Sequence, residues 1–155
     1  MDPPKASDAL RADHRKMETH LDGLLYALKH LHAERVQDIR QNFLEIQQLA
    51  HIHLEQEERV FYPAIRSAAP ELLAHMDGQH QDIRQTEQCL DELLAAFPAS
   101  PSDRDLVELR RCGIEFHDAL QVHIVDEEDN LLKVADSYLS DRQQELLFAA
   151  MQETA

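Results

Sequence analysis

The residues of this chain with the most chemistry are imidazoles and carboxylates standing where apolar side chains are expected. His14, His53, Glu57, His80, His123 and Glu127 each fall on a recurring three- and four-residue spacing otherwise filled mainly by Leu, Ile, Val, Phe and Met. Residues so spaced form one stripe along a helix, the stripe that faces a core. A carboxylate buried there without a partner costs several kcal/mol, so these groups need a compensating charge. One histidine alone in such a place is usually a hydrogen-bonded core residue. Six polar groups together point instead to a metal. Imidazole nitrogens with carboxylate oxygens suit first-row transition ions. The set is too nitrogen-rich for Mg²⁺ or Ca²⁺ and offers no thiolate for a structural zinc site.

The pattern occurs twice. A helix with one stripe histidine is followed by a helix carrying His-x-x-x-Glu-Glu, first as His53 to Glu58 and again as His123 to Glu128. At i and i+4 the imidazole and carboxylate share a helix face, about 6 Å of rise apart, so both can reach one centre. The duplication predicts a pseudo-two-fold site of two metal ions bridged by Glu57 and Glu127. Each ion would take two imidazoles and one oxygen from each glutamate. Two divalent ions exceed the charge of two carboxylates, so hydroxide or oxide bridges complete the balance, with room left for a small diatomic. Rotating a helix by one residue would exchange Glu57 for Glu58, or Glu127 for Glu128. Zinc or a single ion would fit the same donors.

Four helices must position these residues. The first stripe runs Leu10, His14, Met17, Leu21, Leu24, Leu28, Leu31, and the second Val36, Ile39, Phe43, Ile46, Ala50, His53, Glu57, Val60. The third runs Leu73, Met76, His80, Ile83, Glu87, Leu90, Leu94, Phe97, and the fourth Leu106, Leu109, Gly113, Phe116, Leu120, His123, Glu127, Asn130, Val134. Breaks are expected around Ala33–Arg35, at Ser67–Pro70 and at Phe97–Ser102, with Pro63 ending or bending the second helix. Ser102 with Asp105 resembles a capping box, and Ser140 to Gln143 opens a short fifth helix through about Met151. Short connections between long amphipathic helices mean antiparallel neighbours. The expected fold is therefore all-α, an up-down-up-down four-helix bundle with a short extra C-terminal helix.

The six residues can be tested for a common level. In an antiparallel hairpin, residues at one level are symmetric about the turn. The midpoint of His14 and His53 is about 33.5, that of the Glu57 turn and His80 about 67.5, and that of His80 and His123 about 101.5. All three fall in breaks assigned from other residues.

These motifs resemble the hemerythrin-like family, or HHE cation-binding domains. The resemblance rests on Asp13-His14-Arg15, His53-x-x-x-Glu57-Glu58 with Phe61-Tyr62-Pro63, Gln79-His80, and His123-x-x-x-Glu127-Glu128, and covers roughly Leu10 to Val134. It implies a non-haem di-iron centre with His14, His53, His80 and His123 as nitrogen ligands and Glu57 and Glu127 as bridges. Oxygen-carrying members bear His-x-x-x-His on the third helix and His-x-x-x-x-Asp on the fourth. Here Arg84 follows His80 by four residues, and Glu127 follows His123 by four. His75 lies about 140° around the helix from His80 and is not expected to replace the missing fifth histidine. The departure favours a more open centre over reversible oxygen transport.

Composition sets the remaining bounds. The 155 residues carry 30 acidic against 15 basic side chains, a net charge of −15, with only three Gly and no Trp. That length suits one domain over residues 1–155, its core at about 10–134. A surface this acidic disfavours nucleic acid and anionic membrane as partners. The N-terminus has no apolar leader and no apolar run approaches about 18 residues, so a cytoplasmic protein is expected. Cys89 and Cys112 make no disulfide framework and read as reduced thiols on helices. His20, His30, His32, His51, His75 and His117 lie off the stripes and are expected at solvated or rim positions. Glu87 is too far along the axis to share an ion with His80; Tyr26 and Tyr62 could line the pocket, with aromatic packing the leading expectation. The leading functional expectation is a di-iron protein that binds or senses O₂, NO, peroxide or iron. Alternatives are a small di-iron enzyme, peroxidase-like or iron-supplying, and a structural zinc or mono-iron bundle. The sequence leaves the oligomeric state open.

Overall fold

The stripes and their breaks fold into five helices, with no strand among residues 2–154, which the computed structural model describes. Helix α1 spans Ala6–Lys29 and α3 spans Pro70–Ala95, while α5 spans Asp141–Gln152. The two helices carrying His-x-x-x-Glu are interrupted. Helix α2 is α-helical over Val36–Gln56, makes one π-helical turn at Glu57–Phe61, and resumes over Tyr62–Ile65. Helix α4 does the same over Asp103–Asp126, Glu127–Leu131 and Leu132–Tyr138.

The connections fall where turn chemistry puts them. A 3₁₀ turn at Ala33–Arg35 joins α1 to α2. Pro70 opens α3, where a missing N–H costs nothing. Ser102 and Asp105 form a complete capping box at the start of α4, and Ser140 with Gln143 does so at α5. Pro63 does not end its helix. It sits at the start of the segment after the π turn, and the chain stays helical to Ile65.

Helix α1 packs on α2 and α4, and α3 packs on α4. Two apolar clusters result. The larger runs from Met17 through Ile46, Ile83 and Phe116 to Ile124. The smaller includes Leu10, Phe61, Ile65, Leu73, Met76, Leu131 and Ala135. Helix α5 covers this second cluster: Gln144 binds the backbone N–H of Ser7, and Gln56 donates to the carbonyl of Met151. Along α1, His14 stands between Leu10 of one cluster and Met17 of the other; along α3, His80 stands between Met76 and Ile83. The polar layer thus lies between two apolar plugs.

The π turns explain where the expected stripes go astray. Up to Glu57 and Glu127 every stripe residue from Ile39 and from Leu109 onward is buried. Beyond them, the expected Val60, Asn130 and Val134 are only partly buried or exposed, and Phe61, Leu131 and Ala135 are buried instead. A π turn accommodates one extra residue, so the inward face advances by one position after each glutamate.

Candidate metal centre

All six predicted residues meet at one level. His14, His53, Glu57, His80, His123 and Glu127 are each at most 1% exposed, although they come from four different helices. They form two overlapping groups with donor atoms within 4.8 Å of one another. One holds His14, His53, Glu57 and Glu127, and the other holds Glu57, His80, His123 and Glu127. The glutamates are common to both. Glu57 Oε1 lies 3.3 Å from His53 Nε2 and 3.2 Å from His80 Nε2, so it faces both imidazole pairs. Glu127 presents Oε1 to His14 Nε2 at 3.0 Å and Oε2 to His123 Nε2 at 3.4 Å. Glu58 and Glu128 stay outside this layer, partly exposed.

Every one of the four imidazoles points Nε2 inward because a residue on a packed neighbouring helix accepts at, or bonds with, its Nδ1. His14 Nδ1 meets Glu128 at 2.6 Å, and His53 Nδ1 meets Asp13 at 3.2 Å. His80 Nδ1 meets Glu58 at 3.4 Å, and His123 Nδ1 donates to Gln79 Oε1 at 2.9 Å. Each acceptor is the sequence neighbour of a member of the inner layer: Asp13 of His14, Glu58 of Glu57, Gln79 of His80, Glu128 of Glu127. The doubled motifs Asp-His, Gln-His and Glu-Glu are thus one device, in which one residue faces in and the next orients the imidazole on the adjoining helix. A proton held on Nδ1 leaves the Nε2 lone pair free for a cation. Two of the acceptors are themselves clamped, Glu128 by Arg15 and Glu58 by Arg84 at 2.6 Å. Arg84, standing where oxygen carriers have a fifth histidine, is exposed and turned to that task.

The donor set fits metal ions on two observations. Glu57 Oε1 and Oε2 and Glu127 Oε1 are buried without a hydrogen-bond partner, a costly state unless a cation satisfies them. The Nε2 atoms approach in pairs, 3.1 Å between His14 and His53 and 3.2 Å between His80 and His123. Two nitrogens bound at about 2.1 Å to one ion with a right angle between them lie about 3.0 Å apart. The electrostatics agree. Burial opposes charge on His53, yet Glu57, Asp13 and Glu127 hold its imidazole well above the ordinary value. Burial opposes charge on Glu57 too, and the positive His53 carries its carboxyl well below the usual range. The layer attracts positive charge.

Tyr62 joins the site against expectation. Its hydroxyl donates to Glu127 Oε2 and lies 3.1 Å from His80 Nε2, and the residue is fully buried. Burial and the charges of Glu57 and Glu127 push its ionisation far upward, so it stays a phenol. In an α-helix residue 62 would sit about 140° around from Glu57. The π turn, closed by the Tyr62 N–H to the Glu57 carbonyl, brings it back over the glutamate. The equivalent residue after Glu127 is Leu132, so the pseudo-symmetry stops there. The Phe61-Tyr62-Pro63 run, beginning three residues after Glu58, was the available signal, legible only with the π turn in mind.

The other polar residues do not enter the layer. Glu87 pairs with His51 Nε2 at 2.6 Å. His75 is exposed and pairs with Asp126. His117, expected at the rim, is 7% exposed, its Nδ1 2.9 Å from Asp118. Its imidazole fits against the larger cluster because its polar edge keeps a surface partner. Tyr26 is exposed and stacks on His30.

A helical bundle whose inner layer is four imidazoles and two carboxylates common to both groups fits a metal-binding site. The Hemerythrin HHE cation binding domain matches residues 5–135, and the chain belongs to this family. No curated protein and no solved structure shows significant similarity to it. No helix among the described residues is long and apolar enough to cross a membrane.

Proposed function

We propose that the chain holds two iron ions, one in each imidazole pair with Glu57 and Glu127 shared between them, and that this pair takes up a small ligand, O₂, NO or peroxide. The observation that carries this reading is the duplicated donor set, with two nitrogen pairs at 3.1 and 3.2 Å and carboxylate oxygens lacking other partners. Bound iron supplies electrons and open coordination positions.

The protein's own residues do the rest. Asp13, Glu58, Gln79 and Glu128 fix the tautomer and direction of the four imidazoles. The apolar plugs on either side keep the layer from bulk water. Tyr62 holds a proton at the His80 side of the layer, where it can stabilise negative charge on an incoming ligand through a hydrogen bond. Leu132 gives the other half no such donor, so the two metal positions differ in polarity. A second reading, peroxide turnover, draws on the same donor set, with Tyr62 beside it as a hydrogen-bond donor.

The reading takes the bundle as up-down-up-down and residues 1–155 as one unit. Cross-helix pairs support that order: Arg110 binds the Leu28 carbonyl and Gln47 reaches Glu87, both pairs symmetric about the connection between α2 and α3. The test is to load the chain with iron without air, then admit NO or O₂ and follow the visible spectrum. An oxygen-dependent band that reverses on degassing supports binding. Peroxide turnover without a reversible band favours the enzyme. A spectrum indifferent to all three ligands removes the proposal.

A further inference from the structure

Away from the metal layer, the two cysteines stand on facing helices with Sγ atoms 3.2 Å apart, both as free thiols. Cys89 on α3 and Cys112 on α4 are symmetric about position 100.5, the same turn that pairs His80 with His123. They sit one layer deeper in the hairpin, about 13 Å along α3 from His80. Cys89 is exposed to solvent and Cys112 is buried beneath it, in the larger apolar cluster. Two charged groups face the buried sulfur. Arg111 Nη2 lies 3.5 Å from Cys112 Sγ, and Glu108 Oε1 accepts from that thiol at 3.8 Å.

We propose that Cys89 and Cys112 form a dithiol site that is oxidised to an intramolecular disulfide by hydrogen peroxide. The exposed Cys89, as its thiolate, attacks a peroxide oxygen; the O–O bond breaks, Cys89 becomes a sulfenic acid, and the leaving hydroxide takes a proton to become water. Cys112 sulfur then attacks Cys89 sulfur; the S–S bond forms, the S–O bond breaks, and the departing hydroxide leaves as water with the Cys112 proton. Two thiols lose two electrons and the peroxide is reduced to two waters. The geometry assigns the order. Solvent reaches Cys89 first, while burial and the neighbouring Cys89 push the Cys112 thiol up to about 12. Glu108 stands ready to accept the Cys112 proton and Arg111 to face the resulting charge. The sulfurs stand 3.2 Å apart, against about 2.05 Å in a disulfide bond, so the second sulfur is already within attacking distance of the first. The bond would tie together the two helices that carry His80, His123 and Glu127.

The full-length, metal-loaded chain is treated separately with hydrogen peroxide and with diamide, which takes two electrons and two protons from a dithiol. It is then alkylated under denaturing conditions and weighed. The expected result with both oxidants is loss of both alkylatable thiols, a mass lower by two hydrogens in a monomer, and recovery on dithiol reduction. Cys89→Ser, at a surface position, should keep Cys112 alkylatable after the same treatments. The proposal is overturned by dimers joined through Cys89, by Cys89 sulfinic acid beside an intact Cys112, or by two intact thiols after hydrogen peroxide, whatever diamide does.

Discussion

Replacing Tyr62 by Phe removes one oxygen and nothing else from the most buried part of the molecule. The hydroxyl donates to Glu127, a fully buried carboxylate whose other oxygen has no hydrogen-bond partner. A hydrogen bond to a charged group contributes about 1.5–3 kcal/mol, and the ring, at 0% exposure, keeps its packing in Tyr62→Phe. For a chain of this size each kcal/mol moves the melting midpoint by about 2–4 °C, so the variant should melt roughly 3–12 °C below the parent. The assay is thermal unfolding of the metal-free chain followed by helix content. Repeating the substitution in a Glu127→Gln background should shrink its cost, because the acceptor is then neutral. Metal stoichiometry should not change, since every proposed ligand remains. An unchanged melting midpoint, or an equal cost in both backgrounds, refutes the hydrogen bond and with it the asymmetry assigned to the two halves of the site.

Three other expectations follow from the same structure. Glu128→Ala frees His14 Nδ1 from its 2.6 Å partner and should weaken metal binding by about 10–100-fold in chelator competition. Gly113→Ala would put a Cβ 2.6 Å from Leu28 Cδ2 inside the core and should destabilise by about 1–3 kcal/mol, whereas Gly78→Ala meets nothing within 4 Å and should stabilise by about 0.5–1 kcal/mol; urea unfolding of the pair measures how tightly α1 and α4 pack. In the metal-free chain, His53 is held above its ordinary value, so its contribution is fully present below about pH 6.5 and is lost as pH rises through the raised value. Glu57, held low, contributes above about pH 4.3 and loses that contribution as pH falls through its lowered value. The metal-free chain should therefore lose stability on the alkaline side, while metal affinity rises there because ions and protons compete for the same nitrogens; melting and metal titration against pH check both signs.

Much of this was legible in the sequence, for a physical reason. Helix periodicity and turn chemistry are local, so the stripes, the two capping serines and the level shared by His14, His53, His80 and His123 could be read from spacing alone. Spacing left Glu57 and Glu58 exchangeable by a one-residue rotation of the helix, and the burial of Glu57 and Glu127 beside the partly exposed Glu58 and Glu128 resolves that choice. What spacing could not convey was the change of period. A π turn at each glutamate shifts the inward face by one residue, which made Val60, Asn130 and Val134 the wrong core positions and left the hydrogen bond from Tyr62 to Glu127 unread. Nor does spacing along one helix show which neighbour meets an imidazole's Nδ1, so the roles of Asp13 and Gln79 emerged only in three dimensions. The cysteines are symmetric about the third turn, but neither lies on an expected stripe, so their apposition shows only in three dimensions.

The central claim is that the chain holds two metal ions between shared glutamates. Iron per chain, measured after anaerobic loading of the parent, His53→Ala and His123→Ala, tests it most directly. Two ions in the parent and a loss in each variant are predicted. A parent that retains one ion or none, or variants that bind as the parent does, would contradict it.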